Sequence, residues 1–117
     1  MMEKERRKEL KAQYKETKTP MGILIIRPRD KKVCYLEAAQ NLPGIINSAR
    51  FKLNGGMFGK SSLQKAWTAE GEDSFIIEIL DTLDYDKDEL KTDYTEELKE
   101  LKKIWEDKLI SEGWQLY

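Results

Sequence analysis

Apolar residues crowd two short stretches in the N-terminal third of the chain and recur at every third or fourth position farther along. Met21 to Ile26 is a dense β-favouring run, and Val33-Cys34-Tyr35-Leu36 is a second. Between them, Arg27-Pro28-Arg29-Asp30-Lys31-Lys32 is polar and holds a proline. The pair predicts a β-hairpin with a long connection. Neither run alternates polar with apolar residues enough to leave one face in water, so helices are expected to cover the sheet.

The spacing then changes to that of helices. Asn41-Leu42-Pro43 fits a helix start, with Asn41 as cap and proline in the first turn. Ile45, Ile46, Ala49 and Leu53 follow at intervals of one, three and four, and Gly55-Gly56 stops the helix. A second helix is expected from Ser61 or Ser62, acting as cap, through Leu63, Ala66 and Trp67 to Gly71. Ser74 to Leu80 reads as a third strand. The acidic stretch Asp84 to Asp93 connects it to a long helix from about Thr95 to Glu112, stopped by Gly113, with Leu98, Leu101, Trp105 and Leu109 on one face. Ahead of all this, Glu3 to Lys18 mixes both charges around Leu10 and Tyr14 and predicts a charged helix with one narrow contact stripe. The expected organisation is a charged N-terminal helix over residues 1–19 and a single α+β domain over residues 20–117, in the order (α)ββααβα.

The length of 117 residues suits one core and not two. Charged residues make up 37%, but the 39% hydrophobic fraction and three tryptophans point to a folded globule. No apolar run has bilayer-spanning length and the N-terminal stretch is too charged for a secretory signal, so no membrane contact and a cytoplasmic location are expected. Cys34 is the lone cysteine, leaving no internal disulfide and no cysteine-based metal site, and the absence of histidine removes imidazole as base or ligand.

The net charge of −1 conceals polarity along the chain. Residues 1–32 carry eleven Lys/Arg against five Asp/Glu, whereas residues 68–117 carry six against sixteen. A basic half can face phosphates while the acidic half faces water; alternatively, the two halves neutralise each other across the fold or across a dimer.

Gly22-Ile23-Leu24 on the first strand, Tyr35-Leu36-Glu37 on the second and Asn41-Leu42 opening the first helix together carry a resemblance to the GIY-YIG nuclease domain. It continues through Leu63-Gln64-Lys65-Ala66-Trp67 and Gly71-Glu72-Asp73-Ser74-Phe75 to about Leu109. The resemblance implies a three-stranded antiparallel sheet flanked by helices. It also implies, in family members that cut nucleic acid, two tyrosines, a helix arginine and a metal-binding glutamate around the scissile phosphate. These would orient or deprotonate water, neutralise the transition state and hold a divalent cation.

This chain departs from that plan. The first tyrosine place holds Leu24, the second keeps Tyr35, and the glycine closing the second motif is Glu37. The arginine place falls on Ile45, the polar place four residues later on Ala49, and the glutamate place, aligned on Trp105, on Lys102 between Glu100 and Glu106. A register slip of one residue would put Cys34 in the tyrosine place. Loss of several cooperating groups predicts loss of cleavage. Residual catalytic candidates are Tyr35, Glu37 and Glu100, and magnesium is expected only if some cleavage persists.

Three functions follow as expectations. The leading one is a non-catalytic DNA-binding or regulatory module that contacts nucleic acid through Arg27, Arg29, Lys31, Lys32, Tyr35, Arg50, Lys52 and Lys60. The second is a protein-interaction or dimerisation domain, and the third a residual magnesium-dependent endonuclease. Two other motifs fail on spacing. Asn54-Gly55-Gly56-Met57-Phe58-Gly59-Lys60-Ser61 lacks the first glycine and the preceding strand of a phosphate-binding loop, so a glycine-rich turn between helices fits it better. Asp84, Asp86 and Asp88 alternate as in a calcium loop, but Glu89 and Thr95 stand where glycine and glutamate are required. Trp67 and Trp105, on apolar helical faces, are expected in the core.

Overall fold

The structure, a computed structural model, describes residues 18–117. The expected N-terminal helix falls outside the described residues apart from its last position. Strands β1 (Met21–Pro28) and β2 (Val33–Ala39) form the hairpin, helices α1 (Leu42–Asn54) and α2 (Ser61–Glu70) follow, and a single 3-10 turn (Glu72–Ser74) leads into β3 (Phe75–Leu83). Helix α3 (Thr95–Ser111) and a two-residue strand β4 (Gln115–Leu116) complete the chain. The order ββααβα is the expected one, and the fold is α+β. The sheet adds one strand to the expectation, running β3-β1-β2-β4, with β1 antiparallel to both neighbours and β4 parallel to β2. Two residues of ordinary composition leave no hydrophobic period for a sequence reading to find.

Alternation along β1 and β2 divides the core into two layers. Leu24 and Ile26 point to one face, where α1 and α2 cover them with Leu42, Ala49, Leu53, Leu63 and Trp67. Ile23, Ile25, Cys34 and Leu36 point to the other, where α3 supplies Leu109 with Leu101 and Trp105 beside it. Tyr94 and Leu98 close the end of the second layer against Met21. Both faces of the hairpin are thus buried, which is why its strands read as near-continuous apolar runs.

Local chemistry sets the helix ends. The Asn41 side chain accepts the Gly44 N–H at 2.9 Å, and Pro43 stands in the first turn. Gly56 supplies the left-handed residue after α1, with φ of 73°. The expected serine cap of α2 is not used: the helix starts at Ser61 with Lys60 as N-cap and no side-chain bond to the first turn. Gln64, three residues on, instead accepts the Phe58 N–H at 2.9 Å and donates to the Leu53 carbonyl at 2.9 Å, bracing the inter-helix turn. At the head of α3, Asp93 Oδ1 accepts from the Thr95 N–H and hydroxyl at 3.0 and 2.5 Å, which lowers the Asp93 pKa. The alternating aspartates 86 and 88 accept backbone N–H groups two residues ahead and serve as turn formers.

Strand β3 runs three residues past its expected end, and a bulge between Ile23 and Leu24 in its pairing with β1 absorbs one extra residue. The bulge lies beside Gly22, where an added Cβ would meet the backbone of β3.

Candidate functional site

Tyr35 stands on β2 opposite Ile26, and Glu37 opposite Leu24, so all four share the face that α1 and α2 cover. The Tyr35 hydroxyl donates to Glu37 Oε1 at 2.7 Å, the i to i+2 spacing placing both on one side of the strand. Phe58, from the inter-helix turn that Gln64 braces, meets the Tyr35 ring edge-on at 5.4 Å and 83°. Burial first, then the hydrogen bond and negative charge of Glu37, push the Tyr35 phenol far above its ordinary range. At neutral pH the hydroxyl is a fixed donor and not a base.

Leu24 is fully buried in the middle strand, Ala49 is buried, and Ile45 is half-buried beside them. The structure therefore brings four of the sequence-matched positions, Leu24, Tyr35, Ile45 and Ala49, into one cluster. Three of the four contribute hydrocarbon, so the only polar groups they and Glu37 provide together are a hydroxyl and the carboxylate bound to it.

Glu100 is not brought there. It is exposed on α3, whose buried side packs on the opposite face of the sheet. Lys102 lies on the same helix, 3.9 Å from Glu106 one turn on. Among the described residues, no group of three or more acidic or cysteine side chains is arranged to hold a metal ion.

The seven cations singled out in the sequence divide into two sets. Arg27 lies 4.0 Å from Glu78 and 6.0 Å from the centre of the Trp114 ring, Arg29 donates to the Asp73 carbonyl at 2.8 Å, and Lys32 donates to the Glu112 carbonyl at 3.2 Å. Lys31 pairs with Glu70 at 2.9 Å, a bond that raises its pKa, and Arg50 lies 3.8 Å from Glu72. Glu72 also accepts from Asn54 Nδ2 at 3.0 Å, while Asn54 Oδ1 accepts the Trp67 indole N–H at 2.9 Å. Lys52 and Lys60 are exposed and have no ion-pair partner among the described residues.

Sequence reasoning missed the roles of Phe58 and Gln64. The signal present was Ser61-x-x-Gln64, the spacing of a capping box, but here the glutamine serves the turn before the helix. Trp67 is buried as expected, and Trp105 is half-buried with its indole N–H donated to Asp81 at 2.8 Å.

The hairpin, two covering helices, third antiparallel strand and closing helix make up the α+β fold of the GIY-YIG nuclease domain. Solved structures similar to this chain include the catalytic domain of the homing endonuclease I-TevI, 20% identical with a TM-score of 0.64 over 81% of this chain and 94% of that one. Another is a glutamate-to-alanine mutant of the same catalytic domain, described as that of an intron endonuclease, 18% identical with a TM-score of 0.65 over 83% and 91%. No protein-family model and no curated protein matches the sequence. The likeness is one of fold. Among the described residues no helix is long and apolar enough to cross a membrane.

Proposed function

We propose that this chain is a GIY-YIG-like domain that binds nucleic acid without cutting it. The observation that carries the reading is the cluster of Leu24, Ile45 and Ala49 around a Tyr35 hydroxyl tied to Glu37. Hydrocarbon occupies the places where the family resemblance expects a second phenol, a guanidinium and a polar group. A carboxylate stands beside them with no guanidinium to offset it, which opposes the approach of a phosphate to that face. Binding then falls to the cations outside the cluster, chiefly Lys52 and Lys60, which have neither an ion pair nor a side-chain hydrogen bond among the described residues. Similarity in fold to endonuclease catalytic domains supports nucleic acid as the partner class.

Titration of fluorescent DNA at low salt, alongside incubation of supercoiled plasmid with magnesium, tests both halves. Salt-sensitive binding and intact plasmid are expected. Flat signal at micromolar protein would sink the binding half, and nicking that disappears in Tyr35→Phe would sink the non-catalytic half.

A second reading, a protein-interaction or dimerisation domain, draws on the ion pairs. Arg27 with Glu78 and Lys31 with Glu70 join the basic residues 1–32 to the acidic residues 68–117, and Arg50 pairs with Glu72 of the same acidic part. Charge neutralised internally is unavailable to phosphates. Light scattering across a hundredfold range of concentration distinguishes this reading by a mass that rises with concentration.

A further inference from the structure

The turn between α1 and α2 gathers features that the core does not require. Phe51 is 71% exposed and Met57 61% exposed, although both are large and apolar. Their backbones meet at the C-terminal end of α1: the Met57 N–H donates to the Lys52 carbonyl at 2.8 Å, and the Gly55 N–H to the Phe51 carbonyl at 3.0 Å. A Cβ built at Gly55 would lie 3.2 Å from the Met57 methyl and 3.3 Å from the Phe51 oxygen, so the Met57 side chain folds back over the last turn of α1. Lys52 adjoins Phe51 in sequence and Lys60 closes the same turn. Of the predicted set, these are the two cations with neither an ion pair nor a side-chain hydrogen bond among the described residues; Arg29 and Lys32, also without ion pairs, are held by backbone carbonyls.

The turn is also held in place. Gln64 bonds to Phe58 and to the Leu53 carbonyl, and Phe58 rests on Tyr35, so the exposed residues project from a braced loop. A side chain presented from a braced support loses less conformational freedom on binding than one on a free loop.

We propose that this tip is a single-strand-binding element: Phe51 stacks on an unpaired base, Met57 packs beside it, and Lys52 and Lys60 contact the flanking phosphates. This rests on the reading of the domain as a nucleic-acid binder and adds the strand form and the contact point. An aromatic face accepts any base but needs one that is unstacked, and lysines on the same connection suit the phosphates of a single backbone. The charge complementarity favours nucleic acid, because lysines beside an exposed aromatic match the regular alternation of phosphate and base along a strand.

The test uses the full chain with a 12-nucleotide single strand carrying 2-aminopurine and with the matching duplex. The expected result is tighter binding of the single strand, with 2-aminopurine quenched on binding. Phe51→Ala should weaken single-strand binding about tenfold and abolish the quench, the order that loss of one base–aromatic stack produces, while Phe51→Trp retains both. Lys52→Ala and Lys60→Ala should each flatten the dependence of log affinity on log salt by about 0.7. If the wild type binds but Phe51→Ala changes neither affinity nor quench, the tip is not the contact and the inference fails while the binding function stands. Equal binding of duplex and single strand also overturns it. If the wild type binds neither form, the binding function itself fails. If Phe51→Ala instead removes self-association seen by light scattering, the tip is a protein interface and the inference is wrong. Phe51 and Met57 contribute little buried area, so these variants are expected to fold, and circular dichroism checks that they do.

Discussion

Gly22→Ala would push a methyl group into the backbone of β3. Gly22 opens the first motif strand with φ of 155°, and a Cβ built there lies 2.1 Å from the Asp81 carbonyl oxygen, 2.7 Å from Thr82 Cα and 2.9 Å from the Asp81 carbonyl carbon. Contacts under 3.0 Å are not made by real Cβ atoms, so β3 would have to retreat by about 1 Å against close-packed neighbours. All three obstructing atoms are backbone, and the adjoining bulge already sets the register at Ile23 and Leu24. Overpacking of this kind costs about 1–3 kcal/mol and an L-residue forced into a sparse backbone region about 1–3 kcal/mol more. The sum, about 2–6 kcal/mol, is a large part of the roughly 5–15 kcal/mol that stabilises a domain. Urea unfolding followed by tryptophan fluorescence reads it directly: with a slope of about 1–3 kcal/mol per molar, the midpoint should fall by about 1 M or more. Gly59→Ala is the control, because a Cβ there meets nothing within 4 Å and φ is not positive; it should leave the midpoint unchanged or slightly raised. A Gly22→Ala midpoint within about 0.3 M of wild type at unchanged slope would refute the claim that close approach of β3 demands glycine.

Three further outcomes follow from named contacts. The Tyr35 pKa is raised on folding, so the unfolded chain releases this proton first, and stability that is complete below the unfolded value of about 10 declines as pH rises above it. Unfolding midpoints measured from pH 9 to 11 should therefore fall less steeply in Tyr35→Phe than in wild type, and parallel curves would contradict the assignment. Asn54→Ala leaves the indole N–H of buried Trp67 without its acceptor and should cost about 1–3 kcal/mol, read as a lower urea midpoint with altered tryptophan emission. Asn41→Ala removes the α1 cap and should cost about 1 kcal/mol by the same assay, while Asn41→Ser retains most of it.

Much of the fold was legible because its signals are local. The hairpin, the Asn41 cap, the glycine stops and the face of Leu98, Leu101, Trp105 and Leu109 each depend on residues a few positions apart. Strand lengths were less so: β2 continues through Glu37 to Ala39, because pairing with β1 carries a charged residue that propensity alone would exclude. The site was half legible. The sequence placed Leu24, Tyr35, Ile45 and Ala49 in one motif set, and they share one cluster. It held no means of predicting that Glu100 stands across the sheet from Tyr35, or that Glu70, Glu72 and Glu78 sit within reach of Lys31, Arg50 and Arg27, since these are long-range pairings.

The motif residues that remain can be accounted for without any chemistry on a substrate. Gly22 is required where β3 passes within touching distance of β1, Asn41 satisfies a backbone donor at the head of α1, and the Tyr35 ring carries Phe58 and the turn behind it. Each would be retained by a chain that needed only the fold. The positions with no such duty, Leu24 and Ile45, are those filled by hydrocarbon, and filling them adds buried apolar area to the layer under α1 and α2. Leu24→Tyr would have to place a hydroxyl in a fully buried site of the central strand beside Glu37, where it needs a hydrogen-bond partner to offset its burial. Resemblance in this motif therefore reports how the sheet and its first helix are joined. In the function proposed above, the hydrocarbon at Leu24, Ile45 and Ala49 is what opposes cleavage, and binding is assigned to surface outside the motif, at the turn that Phe58 and Gln64 hold in place.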